Sequence, residues 1–466
     1  MTPPRATPLD RRPPGPRGIP LLGSLPAYKR NPVAFFARLS AEYGDLSRFK
    51  LGPYPGYLVT HPDGVRHVVQ VNDANYCRGR FYEKFKIFFG DGLLTLDGQD
   101  WRSHRQVAQP AFLRTVIAGS TRHVVAATND LCDRWDAAAA VGEPVSLVPE
   151  CMAVTLSSLS RTLFGMDVGD QRAEVLKAVD FGVATMFNRA RLDEYLPGWL
   201  PTARSRGIAR HRAVLHGVVE RVRAEHEAEQ ATVDLVGLLE QATDPETGQP
   251  WSAREVLDEL TTIFLAGQET TALALCWTLY AVACHPEVRE RLQAEVDGLG
   301  GMDVTDPAVA FGRLPYTRMV LDESLRLHPP IWIYTRDAIG PDEILGYPIE
   351  AGASVIVSPY ATHRRPDLWP DPERFDPDRF DPATRSARAR FAYFPFGGGP
   401  RQCIGMHLAL HELQVMLAMI VRRFDWALVD DAPVGVGEMV LSLRPLRDVA
   451  VRISRRAAVG GVPSAA

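Results

Sequence analysis

Lysine, paired cysteines, long apolar runs and internal repeats are all scarce or missing in this 466-residue sequence. Lysine occurs only at positions 29, 50, 84, 86 and 177, so the positive charge is almost entirely arginine. With 52 Lys and Arg against 56 Asp and Glu, the formal net charge is −4. Phosphate binding is driven by clustered positive charge, so a nucleic-acid partner is not expected. The cysteines, Cys77, Cys132, Cys151, Cys276, Cys284 and Cys403, contain no CxxC pair. That pattern favours neither a disulfide framework nor a cysteine zinc site. The opening MTPPRATPLDRRPPGPRGIPLLG is broken by proline and has no apolar run of signal-peptide length. No later stretch reaches the roughly 18 uninterrupted apolar residues of a membrane span, so a cytoplasmic protein without a membrane span is expected.

What is present fits an ordinary globular chain, with 46% apolar and 23% charged residues. The absence of repeats and internal linkers predicts one domain over residues 31–455, after a proline-rich segment 1–30 and before a flexible tail 456–466. Strand signals at Leu46–Leu51 and Tyr57–Thr60 flank the turn-rich Gly52–Gly56, and a second β-rich patch spans Ile344–Ser358. Elsewhere the periodicity is helical, which gives a mainly α fold with a smaller β portion. Ser252-Ala-Arg-Glu255 fits a capping box that opens a helix running without proline to His285-Pro286. A further helix over about Leu314–His328 stops at Pro329-Pro330. Past Ser358, PDLWPDPERFDPDRFDP carries too many prolines for regular structure, and such irregular segments are usually functional.

The strongest chemical signal is Phe396-Gly-Gly-Gly399-Pro-Arg401-Gln-Cys403-Ile-Gly405, followed by an apolar helical run from about Met406. Glycines let backbone amides approach whatever Cys403 holds. The helix start offers free N–H groups and positive dipole, which favour a thiolate. A second signal is Ala266-Gly267-Gln268-Glu269-Thr270-Thr271, which interrupts an apolar stretch of the long helix with a costly glycine and a buried acid. Weaker patterns are Glu323-Ser-Leu-Arg326 and Trp101-Arg-Ser-His-Arg105, whose end residues share a helix face. His407 and His411, at i and i+4, could bind zinc, but Leu408 stands where a metalloprotease needs glutamate.

Together these motifs resemble the cytochrome P450 superfamily. Phe396, Gly399, Arg401, Cys403 and Gly405 match its FxxGxRxCxG loop, and the resemblance implies the triangular-prism helical fold. It implies haem b ligated by Cys403, whose thiolate pushes electron density onto the iron to favour O–O cleavage. By the same resemblance, Ala266 and Gly267 lie over the haem, while Glu269 and Thr270 manage protons. Trp101, Arg105, Arg336 and Arg401 reach the propionates. Glu323, Arg326 and Arg379, the last from Pro377-Asp378-Arg379-Phe380, form a structural network. Phe85, Phe88, Phe187 and Trp332 are candidate walls of an apolar substrate pocket. The implied activity is hydroxylation or epoxidation of a terpenoid, steroid, polyketide or fatty-acid-like molecule, in bacterial secondary metabolism. Too little chain follows Cys403 for a flavin domain. A monomer is therefore expected to draw NAD(P)H electrons through a separate ferredoxin or flavodoxin-type donor and its reductase.

Overall fold

In the computed structural model, residues 12–165, 173–175, 177–178, 181–182, 202–229, 235–299, 306, 312–384, 388–439 and 442–456 are described. Among the described residues, ten principal helices carry the fold: α1 (Pro32–Tyr43), α2 (Arg80–Phe89), α3 (Gly98–Ala108), α4 (Arg114–Val141), α5 (Leu147–Phe164), α6 (Ala203–Glu229), α7 (Ala253–Cys284), α8 (Pro286–Asp297), α9 (Pro315–Leu327) and α10 (Met406–Arg423).

The predicted capping box opens α7. The Ser252 amide donates to Glu255 Oε2 at 2.7 Å, and the Glu255 amide donates back to Ser252 Oγ at 3.3 Å. With 32 residues, α7 is about 48 Å long. His285 caps it, and Pro286 begins α8, where a missing N–H costs nothing. Leu273, Leu275, Cys276 and Leu279 of α7 are buried in the largest core cluster, which also draws on α4, α5, α8, α9 and α10. A helix apolar around its circumference needs such a cover on every side. Among the described residues, no helix is long and apolar enough to cross a membrane.

The β portion is a five-stranded sheet ordered β1-β2-β8-β5-β3, from β1 (Leu46–Leu51), β2 (Tyr54–Val59), β3 (Tyr76–Cys77), β5 (Tyr334–Ala338) and β8 (Ser354–Val357). A second sheet joins β4 (Val145–Ser146), β12 (Ala450–Arg455) and β9 (Phe424–Leu428). Two hairpins, β6 (Asp342–Ile344) with β7 (Tyr347–Ile349) and β10 (Val436–Met439) with β11 (Ser442–Pro445), complete it. The N-terminal hairpin corrects the expected turn. Gly52 takes a φ of +64°, so Gly52-Pro53 closes the turn alone and Tyr54–Gly56 pair as strand. The predicted patch from Ile344 divides into β7 and β8, of which only β8 enters the main sheet.

Residues 12–30 lie against β1, with the Arg48 amide donating to Pro14 O and the Ser24 amide to Lys50 O. At the other end Arg456 pairs with Asp297, while residues 457–466 fall outside the described residues.

Candidate active site

Helix α7 and the loop before α10 face each other across a cavity of about 290 Å³ lined by both Thr270 and Cys403. Two of the three glycines take positive φ, +70° at Gly397 and +67° at Gly399, while Gly398 is extended. A Cβ on Gly399 would sit 1.7 Å from Val69 O, so the loop passes the neighbouring backbone at a distance only glycine permits. The Cys403 amide donates to Phe396 O at 3.0 Å, which closes the loop.

Protein surrounds Cys403 on all sides, yet the residue keeps exposed surface because that surface faces the cavity. Burial pushes its thiol above the usual 9.0. The amides of Gly405 and Met406, at the start of α10, and the Arg105 guanidinium pull the other way. Such a thiol gives up its proton to a metal cation rather than to water. Arg401 lies with its guanidinium 4.3 Å over the Trp101 ring and donates to Asp97 Oδ1 at 2.6 Å. Arg105 stands near the loop, donating to Gln402 O at 3.0 Å.

Along one edge of the cavity stand Arg78, Arg336 and Arg401. Arg336 is buried, and burial with the Arg78 charge lowers its pKa. Arg401 is lowered to about 9 by burial, by Arg78 and by Arg336, with Asp97 opposing. The Arg78 amide also occupies Asp97, and the buried Arg78 Nε has no hydrogen-bond partner. Arg401 pairs with Asp97, whereas the Arg78 and Arg336 guanidinium groups donate to the carbonyls of Leu93 and Thr335, so among the described residues this edge carries a surplus of positive charge that a bound dianion would settle. Arg78 gave no signal in the sequence, since it follows the two-residue strand β3 in a stretch with no periodicity to read.

On the opposite wall, Ala266, Gly267 and Thr270 line the cavity. Thr270 Oγ1 donates to Ala266 O at 2.7 Å, the back-bond expected of a threonine inside a helix. A Cβ on Gly267 would meet Leu159 of α5 at 3.1 Å, so the glycine also serves close helix packing. Glu269 is 7% exposed and accepts from Ser442 Oγ at 2.8 Å and Arg444 Nε at 2.7 Å.

The predicted network is assembled behind the cysteine loop. Arg326 and Glu323 are wholly buried and form a two-point pair at 2.6 and 2.8 Å. Arg379 lies 3.5 Å from Glu323 and donates to Asp371 O. Arg326 also donates to His363 O at 2.8 Å, and the His363 ring contacts both Arg326 O and the Phe394 amide. Burial and the Arg326 charge hold His363 well below the usual 6.5. The ring is therefore neutral, with Nε2 accepting from Phe394 and Nδ1–H donating. This carries the ion pair to within two residues of Phe396, a link the sequence did not reveal.

Two wall assignments need correction. Phe85 and Phe89, at i and i+4 on α2, line the cavity, whereas Phe88 turns off that face toward Gly182 and Phe89. Ile331 and Tyr334 line it as well, but Trp332 points to the other side and packs 6.0 Å from Phe36 of α1. Adjacent residues of an extended segment face opposite ways, which separates Trp332 from Ile331. Phe187 lies outside the described residues. The His407 and His411 pair is divided too, with His411 buried against Thr121 Oγ1 at 2.7 Å and His407 exposed. Among the described residues, no three His, Cys, Asp or Glu side chains gather as a metal cluster.

The family model for cytochrome P450 matches residues 13–447. The chain belongs to the cytochrome P450 family. Cyclooctat-9-en-7-ol 5-monooxygenase of Streptomyces melanosporofaciens is 34% identical over 417 residues, 88% of each chain. Pentalenene oxygenase of Streptomyces avermitilis is 30% identical, covering 93% of this chain and 95% of its own. The crystal structure of the cytochrome P450DA haem domain matches with a TM-score of 0.85 at 27% identity, over 96% of this chain and 98% of that one. The chain is thus a cytochrome P450 monooxygenase that works with a haem-thiolate centre, a substrate and a redox partner. The residues present fit that group. A thiol faces a cavity whose walls are mainly apolar, with surplus arginine at its edge to receive two carboxylates.

Proposed function

We propose that the protein holds haem b through Cys403 and hydroxylates or epoxidises a terpenoid in bacterial secondary metabolism. The observation that carries the reading is a single cavity lined by Cys403 on one side and by Thr270 on the other, with arginines at its edge. Bound haem supplies the activation of dioxygen by two electrons and two protons, one oxygen atom going to substrate and one to water. Arg78, Arg336 and Arg401, which line the cavity together, would hold the two carboxylates of that group. Arg105 steadies the cysteine loop through the Gln402 carbonyl. The Thr270 hydroxyl holds a proton at Oγ1 on the cavity side, and Glu269 moves protons toward it from the interior. Phe85, Phe89, Ile263 and Ile331 exclude water and favour an apolar substrate. Relatives named for oxidising cyclooctat-9-en-7-ol and pentalenene support the terpenoid class. NAD(P)H electrons arrive through a separate ferredoxin or flavodoxin-type donor, and the monomer is the working unit in the cytoplasm.

The test is a spectral titration of the ferric protein with terpenoid, steroid, polyketide and fatty-acid panels. A low-spin to high-spin shift with cyclic terpenoids is expected, and a shift confined to fatty acids overturns the substrate class. With the responding substrate, Thr270→Ala is expected to keep consuming reductant while product per electron pair falls and peroxide rises. Unchanged coupling contradicts the Thr270 role.

A further inference from the structure

The carboxylate of Glu269 does not point to open cavity space alone; it is held from the side by a hairpin that no motif announced. Ser442 and Arg444 sit at i and i+2 of β11, so both reach the same side of the strand. Both donate to the same oxygen, Glu269 Oε1. The side chains are largely enclosed, 16% exposed for Arg444 and 9% for Glu269, so solvent weakens the pair little. Among the described residues, Arg444 is the cation in contact with Glu269, and its neighbours Gln268, Thr270, Thr271 and Ser442 are neutral. The strand is itself fixed. The Leu443 amide donates to Pro330 O at 2.9 Å, Ser442 bridges Ile331, and the Trp277 indole of α7 donates to Leu443 O at 2.7 Å. Ser442, Glu269 and Ile331 all line the cavity.

We propose that Arg444, assisted by Ser442, is a positioning residue for Glu269, so that the β10–β11 hairpin is part of the proton-handling apparatus as well as a cavity wall. Arg444 fixes which carboxylate oxygen is occupied and supplies the counter-charge, leaving the rest of the carboxylate to exchange protons toward Thr270. Because β11 also ties Ile331, a wall residue, to Glu269, an occupant that displaces this wall displaces the acid with it. This inference rests on the reading of Glu269 as a proton carrier.

The experiment compares melting of haem-loaded Arg444→Met, Arg444→Lys, Glu269→Gln and the Glu269→Gln/Arg444→Met double variant at mildly acidic and mildly alkaline pH. Removing the guanidinium leaves a buried carboxylate unpaired, a loss relieved when it takes up a proton. Arg444→Met is therefore expected to lose several degrees more on the alkaline side. Arg444→Lys should follow the parent, and the extra loss should vanish in the Glu269→Gln background. An equal loss at both pH values in both backgrounds, or no loss, overturns the proposal by reducing Arg444 to packing. A second readout is peroxide released per reductant oxidised. It should rise at least twofold in Arg444→Met, return with Arg444→Lys and rise no further when Glu269→Gln is added. A parental ratio in Arg444→Met contradicts the positioning role. A parent protein that consumes no reductant contradicts the reading of function instead, and the melting comparison decides the ion pair by itself.

Discussion

In the proposed haem site, Arg78 is unfavourable for the protein alone and favourable for its cofactor. Its charge adds to those of Arg336 and Arg401 in a buried edge where Asp97 pairs with Arg401. Replacing it with methionine removes repulsion in the haem-free protein and a charge-assisted contact in the loaded one. Arg78→Met is expected to melt no lower than the parent without haem, yet to release haem about tenfold faster to a haem scavenger, the size of one charged hydrogen bond. A variant that loses apoprotein stability and keeps its haem would contradict this role. Glu412 makes the same point with an acid. It lies buried on α10 at the cavity wall, accepting from Ser158 Oγ at 2.6 Å, and burial pushes it from 4.5 up to about 7. The folded state holds that proton more tightly than the unfolded chain does. Its contribution is therefore full below pH 4.5 and is lost as the pH rises through about 7. Glutamine cannot ionise, so the stability gap in favour of Glu412→Gln should widen by up to about 3 kcal/mol between about pH 5 and about pH 8. Urea unfolding across that range measures it, and a gap independent of pH would show that burial does not govern this carboxyl.

Among the elements, the irregular ones were the hardest to read, and they support the cysteine loop. The two-point Glu323–Arg326 pair passes through His363 to the Phe394 amide, so α9 and the proline-rich meander brace the segment that presents Cys403. Burial pushes Glu323 up while Arg326 pulls it down, the balance of a desolvated but compensated pair. Glu323→Ala leaves Arg326 uncompensated and is expected to cost about 3–5 kcal/mol, with little haem-loaded protein recovered. Normal haem content and normal melting in that variant would sink the bracing role. The helical elements were legible because their signals are local, as with Ser252 and Glu255 at the start of α7 or Pro329-Pro330 after α9. The N-terminal hairpin was drawn with too long a turn because Gly52-Pro53 closes it in two residues. Trp332 and Phe88 were assigned to the wrong face because aromatic content says nothing of which side a chain turns. Arg78, His363 and Arg444 were invisible because each acts on a partner far away in sequence, where local spacing carries no information.

For the whole molecule, one long helix and one glycine-framed loop, far apart in the sequence, define a cavity with apolar walls, a charged edge and, among the described residues, the sulfur of Cys403. The family assignment rests on residues 13–447, and the proposed iron ligand is Cys403. The most direct measurement is the absorption spectrum of the reduced protein under carbon monoxide, parent beside Cys403→Ser. The account predicts the strongly red-shifted Soret band of a thiolate-ligated haem in the parent and its absence in the variant. A variant that binds haem and retains that band would contradict the assignment of Cys403.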